Sequence, residues 1–170
     1  QCRKPDAVLV TSIMTYWYPG VFECIDIIKE VFPGVPLALG GIYATLCTDH
    51  ARIHSGADMV VKGDVLFGGA GEITTLQDVL DTLLGKDLPP FRARSRLESL
   101  PYPAWDLLVE TDQVALLTSR GCPYSCGYCA SQYLNGGSCR ERSPLSVVDE
   151  IDFWYKNYNV RDFSFYDDAL

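Results

Sequence analysis

Two hydrophobic periods alternate along this chain. Residues 7–14, Ala-Val-Leu-Val-Thr-Ser-Ile-Met, make a nearly continuous apolar run rich in β-branched side chains, the pattern of a parallel strand buried on both faces. After Tyr16-Trp-Tyr-Pro-Gly20 the period lengthens. Val21, Phe22, Ile25, Ile28 and Phe32 recur at helical spacing, with Glu23, Asp26, Lys29 and Glu30 largely opposite, and Pro33-Gly34 stops the helix. A second strand is predicted over 35–39, a turn at Gly40-Gly41, a helix over 43–55 stopped by Gly56, and a third strand over 58–61. Ile73, Leu76, Val79, Leu80 and Leu83 then share one face of a helix predicted over 72–84, with Gly85 after its end. Strands and helices joined by short connections predict an open, doubly wound parallel sheet. Such sheets bind ligands at the carboxyl ends of their strands. That edge holds Ser12-Ile13-Met14 and Gly40-Gly41.

From Lys86 to Thr111 the periodicity is lost among Pro89, Pro90, Pro101 and Pro103, which marks a linker or boundary. The pattern resumes with a strand over 113–119, a cysteine-bearing loop, Gly136-Gly137, and a helix with Ser143 as N-cap and Pro144 at its first position. Val147, Val148, Ile151, Trp154, Tyr155 and Tyr158 form its predicted buried stripe, and a strand over 162–166 ends in Asp167-Asp168. This is one βαβ unit with a right-handed crossover. Both strands send their carboxyl ends to one edge, so the cysteine loop and Asp167-Asp168 emerge side by side, on the edge that is catalytic in barrel enzymes. Three segments result: 1–85, a linker over 86–111, and 112–170.

Composition narrows the function. With 170 residues, 48% hydrophobic and 21% charged, the chain has the make-up of a packed globular protein. Its net charge of -8 argues against the basic surface that generic nucleic-acid binding needs. No apolar run approaches the length of a membrane span. Seven cysteines, an odd number without secretory features, read as thiols in a reducing, cytoplasmic setting. The glycine-rich stretch Gly63 to Gly71 lacks the Lys-Ser/Thr of a phosphate loop. Cys47, His50 and His54 fall on one helical face, where a metal is one reading and a histidine pair suited to the helix C-terminus the other.

The densest chemistry lies in Thr118-Ser-Arg-Gly-Cys122-Pro-Tyr-Ser-Cys126-Gly-Tyr-Cys129-Ala130. Thiolates this close can reach one inorganic centre, and three of them on a four-iron cluster leave one iron without a protein ligand. Cys122-x3-Cys126-x2-Cys129, with Tyr128 before the last cysteine, resembles the signature of the radical S-adenosylmethionine superfamily. The resemblance implies a 4Fe-4S cluster on Cys122, Cys126 and Cys129, with S-adenosylmethionine chelated at the open iron and cleaved to methionine and a 5′-deoxyadenosyl radical. It also implies Tyr128 near the adenine, Asp167 and Asp168 near the methionine moiety, a small-molecule substrate, and an external electron donor of flavodoxin or ferredoxin type. Two other classes share the cysteines: an electron-transfer protein with Cys139 as fourth cluster ligand, and a zinc-stabilised binding module using the same four thiols.

The first half carries a second resemblance. Ser12-x-Met14 and Gly40-Gly41 are similar to the Ser-x-Leu and Gly-Gly elements that flank the nucleotide tail in cobalamin-binding domains, with Met14 in place of leucine. The Asp-x-His-x-x-Gly element that supplies an axial histidine in many members is not found in the chain. Leu100-Pro-Tyr-Pro-Ala-Trp-Asp106 is similar to the connector before the radical core in cobalamin-associated members, and is also a proline-stiffened spacer. The implied fold is the C-terminal part of a Rossmann-like, cobalamin-binding domain over 1–85, followed by the start of a partial TIM-like barrel over 112–170. The implied chemistry is radical modification of a small molecule, with cobalamin-dependent methyl transfer as one form. A barrel needs about 250 residues, so the chain reads as an internal piece of a longer enzyme.

Overall fold

The computed structural model describes residues 3–64, 75–89, 96–109, 111–135 and 137–168. The glycine-rich stretch from residue 65 onward, the first residues of the helix expected from Glu72, and Gly136 lie outside them. The chain divides into two compact units, Gln1–Ala93 and Arg94–Leu170. Among the described residues no helix is long and apolar enough to cross a membrane.

In the first unit, β1 (Val8–Ser12), β2 (Leu37–Gly40) and β3 (Met59–Val60) form a parallel sheet in that order. The register pairs Leu9 with Ala38 and Ala38 with Met59. Helices cover both faces of the central strand. Leu37 and Leu39 pack with Ile25 of α1 (Tyr18–Val31), with Tyr43 and Ala44 of α2 (Gly41–Leu46), and with Ala51 of α3 (Thr48–His54). Ala38, on the opposite face, packs with Val61 and with Val79 of α4 (Leu76–Leu84). This is the doubly wound arrangement that the alternation of periods predicts. Thr75 caps α4 by accepting from the Asp78 N–H, while Asp78 accepts from the Thr75 N–H, a reciprocal capping box.

Three details differ from the sequence reading. β1 is buried on one face only: Leu9 lies on the Ala38 face yet stays 50% exposed, because α4 covers the β2–β3 side of the sheet and not its β1 edge. Tyr18, Pro19 and Gly20 begin α1 instead of preceding it, as a proline in the first turn permits. The helix expected over 43–55 is two helices that break at Cys47, whose φ of -123° and ψ of 44° are not helical.

In the second unit, β4 (Gln113–Leu116) runs parallel to β7 (Asp162–Phe165), with α6 (Pro144–Tyr158) as the crossover. Ser143 caps α6 by accepting from the Ser146 N–H, and Asn159 ends it in the left-handed conformation. Val114, Leu116, Trp154 and Val160 are the core, with Ile151, Phe163 and Trp105 against it. Trp105 sits in a short 3-10 turn (Trp105–Leu107), so part of the stretch read as a spacer packs into this unit. The stripe of α6 is narrower than expected. Val147, Ile151 and Trp154 face the core at i, i+4 and i+7, while Val148, Tyr155 and Tyr158 are exposed. Glu150 is buried in their place, paired to Arg142.

Asp58 ties the first unit together by accepting from Lys29 Nζ at 2.8 Å and from the Leu37 N–H at 2.8 Å. Burial alone would raise its pKa. The Lys29 ammonium and the Leu37 N–H outweigh that and hold the carboxyl below its ordinary value. Since the folded pKa is depressed, this contribution is present above the unfolded value and is lost as pH falls through the folded one. Asp58→Ala is expected to cost about 1 kcal/mol at neutral pH, after allowance for solvent screening of this half-exposed pair. Urea unfolding at neutral pH and below about pH 3 checks it: the gap between variant and wild type should close in acid, and a gap independent of pH contradicts the assignment.

Candidate functional site

The cysteine loop grows out of the end of β4. The Tyr166 N–H bonds the Leu116 carbonyl at 2.9 Å, and one residue later Asp167 turns toward the departing strand. Asp167 Oδ1 accepts from the Thr118 N–H at 2.8 Å, from the Ser119 N–H, and from Ser119 Oγ at 2.9 Å. Asp167 Oδ2 is buried and meets no hydrogen-bond partner among the described residues. Next come two short strands the sequence pattern did not reveal, β5 (Ser119–Arg120) and β6 (Arg140–Glu141), paired antiparallel. They close the base of the loop that carries the thiols. Gly121, at φ +89°, follows β5, where an added Cβ would lie 2.1 Å from the Ser138 carbonyl oxygen, so only glycine fits.

Arg142 braces the other side of that base. Its N–H bonds the Thr118 carbonyl at 2.8 Å, and its guanidinium bonds the Leu117 and Ser146 carbonyls at 3.0 Å and the carboxylate of Glu150. Glu150 is 2% exposed. Removing either partner would strand a buried charge. No spacing in the sequence announced this pair, since an Arg and a Glu eight residues apart carry no motif.

Along the loop, Cys122 is half-buried and Cys126 and Cys129 are exposed. The Cys129 N–H bonds the Cys126 carbonyl at 3.0 Å, and the Ser131 N–H points to Cys129 Sγ at 3.5 Å. A short helix absent from the sequence reading, α5 (Ser131–Leu134), carries the chain away. Asp168 Oδ2 accepts from the Gly121 N–H at 3.2 Å, from Ser131 Oγ at 3.3 Å and from Asn135 Nδ2 at 3.4 Å. Tyr128 is 95% exposed. The Cys139 thiol donates to the Gly121 carbonyl at 3.6 Å and lines a cleft of about 630 Å³ with Tyr124, Val148 and Phe165.

Among the described residues no three Cys, His, Asp or Glu side chains converge on one ion-sized point. Zinc needs its sulfurs at about 2.3 Å, so the loop is not a preassembled single-ion centre. The three thiols lie together on one short, surface-facing loop.

In the first unit, Ser12 and Gly41 form a parallel bridge where β1 and β2 end. Ser12 is 1% exposed, and its hydroxyl donates to the Met14 carbonyl at 3.1 Å. The two glycines differ in what they answer to. Gly41 is required by the fold, with φ +91° and an added Cβ 2.5 Å from the Ser12 carbonyl oxygen. Gly40 has extended φ and meets nothing within 4 Å of an added Cβ, so no neighbour among the described residues demands its missing side chain. Met14 is 40% exposed. Thr45, which the sequence reading missed, buttresses the turn: its hydroxyl donates to the Gly41 carbonyl at 2.8 Å and accepts from the Gly63 N–H at 3.0 Å. His50 Nδ1 pairs with the Tyr43 hydroxyl at 2.7 Å, and the rings of His50 and His54 lie 4.5 Å apart. Burial, with Cys47 and Tyr18 nearby, raises the Tyr43 pKa, so the phenol keeps its proton. Cys47, His50 and His54 do not gather into a site that could hold a metal ion.

The two units define an α/β chain: a Rossmann-like parallel sheet with a glycine turn at the carboxyl end of its strands, and a βαβ unit with a three-cysteine loop, part of a barrel that is not closed. No protein-family model matches it. It is 26% identical, over 98% of its length, to an uncharacterised methyltransferase of Pyrococcus horikoshii, covering 40% of that protein. It is 30% identical over 79% of its length to an uncharacterised methyltransferase of Synechocystis, covering 25% of that protein. A further relative is the cytidylyl-2-hydroxyethylphosphonate methyltransferase of Streptomyces wedmorensis, 29% identical over 98% of the chain and 40% of the relative. Among solved structures, the radical S-adenosylmethionine methyltransferase TsrM of Kitasatospora setae, bound to tryptophan and an S-adenosylmethionine analogue, shares the fold. The TM-score is 0.65 at 19% identity, over 98% of the chain and 37% of TsrM. The chain thus spans 25% to 40% of the length of these relatives. These findings agree with the resemblance read from the three cysteines: the relatives are methyltransferases, and the fold is shared with a radical S-adenosylmethionine methyltransferase.

The contrast between the glycines is testable by thermal unfolding. Gly41→Ala is expected to destabilise the protein by about 2 kcal/mol or more, from the clash and the left-handed φ together. Gly40→Ala should leave the melting temperature nearly unchanged. Equal losses at both positions would contradict the assignment of Gly41 to the fold and Gly40 to open space.

Proposed function

We propose that this chain is the cofactor-binding portion of a radical S-adenosylmethionine enzyme acting on a small molecule, with methyl transfer as the favoured reaction. The observation that carries the reading is the position of Cys122, Cys126 and Cys129 on one loop at the carboxyl end of a barrel strand, beside the strand-end acids Asp167 and Asp168. When bound, a 4Fe-4S cluster on those thiolates supplies one low-potential electron to the sulfonium of S-adenosylmethionine, releasing methionine and a 5′-deoxyadenosyl radical; cobalamin supplies a carrier for a methyl group.

The chain's own residues hold, orient and shield. Cys122, Cys126 and Cys129 ligate, and the Ser131 N–H steadies the sulfur of Cys129. Asp167 Oδ2, buried without a partner among the described residues, is suited to accept from the ammonium of S-adenosylmethionine. Tyr128, fully exposed, is free to stack on an adenine. Ser12, Met14, Gly40 and Gly41 flank the nucleotide tail of cobalamin, and the open space at Gly40 admits it. Cys139 is not a ligand in this reading, because its thiol is turned to the Gly121 carbonyl and the neighbouring cleft. The electron donor is a separate flavodoxin- or ferredoxin-type protein, and a cytoplasmic setting protects the cluster.

Anaerobic reconstitution of the full-length protein with iron and sulfide tests this. About four irons per loop are expected in the wild type and in Cys139→Ser, and a large loss in Cys122→Ala, Cys126→Ala or Cys129→Ala. Loss of iron in Cys139→Ser would favour a four-cysteine electron-transfer cluster, and zinc retained in place of iron would favour a structural module.

A further inference from the structure

Asp167 and Asp168 are adjacent, yet they contact different parts of the loop. Asp167 Oδ1 is engaged at the loop's entry, by Thr118 and Ser119. A single oxygen of Asp168 reaches both ends of the thiol-bearing segment: Gly121, the residue before Cys122, and Ser131, two residues after Cys129. Asn135, on the turn after α5, donates to the same oxygen. Between the two anchors lie Cys122, Cys126 and Cys129 and no strand. At 3.2 to 3.4 Å each bond is long, so the effect depends on three donors meeting one acceptor and not on the strength of any one.

We infer that Asp168 is a positioning residue, a clip that holds the cysteine loop shut and sets the spacing of its thiols before any cluster is present. In this reading Asp168 acts through the loop, and Asp167 Oδ2 is the acceptor for S-adenosylmethionine. The inference deepens the proposed function and rests on it only where cluster assembly is read out. The clip itself is a property of the bare polypeptide. Closing an open loop restricts its conformers in advance, and a loop whose two ends are already held binds a cluster with less ordering to do. Gly121 belongs to the same arrangement, because at φ +89° an added Cβ would meet the Ser138 carbonyl oxygen and the Asn135 side chain. The clip needs an acceptor and not a charge, and this separates it from a ligand to an ammonium.

The test uses full-length apoprotein and two readouts in wild type, Asp168→Ala, Asp168→Asn and Ser131→Ala. Amide hydrogen exchange at Gly121 should speed up about tenfold in Asp168→Ala, the loss of one hydrogen bond. It should stay within about twofold of wild type in Asp168→Asn, whose Oδ1 still accepts, and fall between in Ser131→Ala, which removes one exposed arm. Iron retained after anaerobic reconstitution should follow the same order. Wild-type exchange in Asp168→Ala would overturn the clip. So would an Asp168→Asn protein that holds wild-type iron but no longer responds to S-adenosylmethionine, since that pattern assigns the carboxylate to the ligand. Exchange that follows the predicted order while no variant, wild type included, assembles a cluster would support the clip and defeat the proposed function separately.

Discussion

The parallel pairing of β4 with β7 is the constraint on which the rest of the second unit depends. Its register puts Leu116 opposite Phe165, so each strand runs out within two residues of the other. Asp167 thereby arrives where Thr118 and Ser119 have run past their pairing with β7, and it takes their N–H groups. A slip of one residue would turn the carboxylate to the opposite face of the sheet and leave two backbone donors without an acceptor. The core of Val114, Leu116, Trp154 and Val160 enforces the register from one side. Arg142 enforces the geometry from the other, by bridging the end of β4 to buried Glu150.

This division of labour explains why a loop that is exposed at Cys126, Tyr128 and Cys129 can still hold a defined site. Loops carry function when a rigid scaffold fixes their ends. Here the ends are fixed by a two-residue antiparallel ladder, a glycine that admits no substitute, and two consecutive acids from the neighbouring strand. The middle stays open to whatever binds. The first unit follows the same logic on a smaller scale: Gly41 is locked against Ser12 while Gly40 beside it is left free.

Much of this was legible in the sequence, because periodicity reports burial and burial built the sheets. The order of strands and helices, the caps at Ser143 and Gly85, and the meeting of the cysteine loop with Asp167-Asp168 all follow from patterns within reach of a window of residues. What escaped depends on contacts between distant residues. Leu9 looks like a core residue and is half-exposed, because α4 stops short of the sheet edge. Glu150 looks like a surface residue and is buried, because Arg142 meets it. The strands β5 and β6 are two residues each, too short for any period to appear. The bonds that Asp168 accepts from Gly121 and Ser131 cross 47 and 37 residues of sequence, so no local pattern announced them.

In the proposed site, three cysteines leave one iron open to S-adenosylmethionine. Electron paramagnetic resonance of the reduced, reconstituted protein tests it most directly. Adding S-adenosylmethionine is predicted to shift the g values of the cluster signal, as a new ligand enters at the open iron. A spectrum that is the same with and without S-adenosylmethionine would contradict the claim.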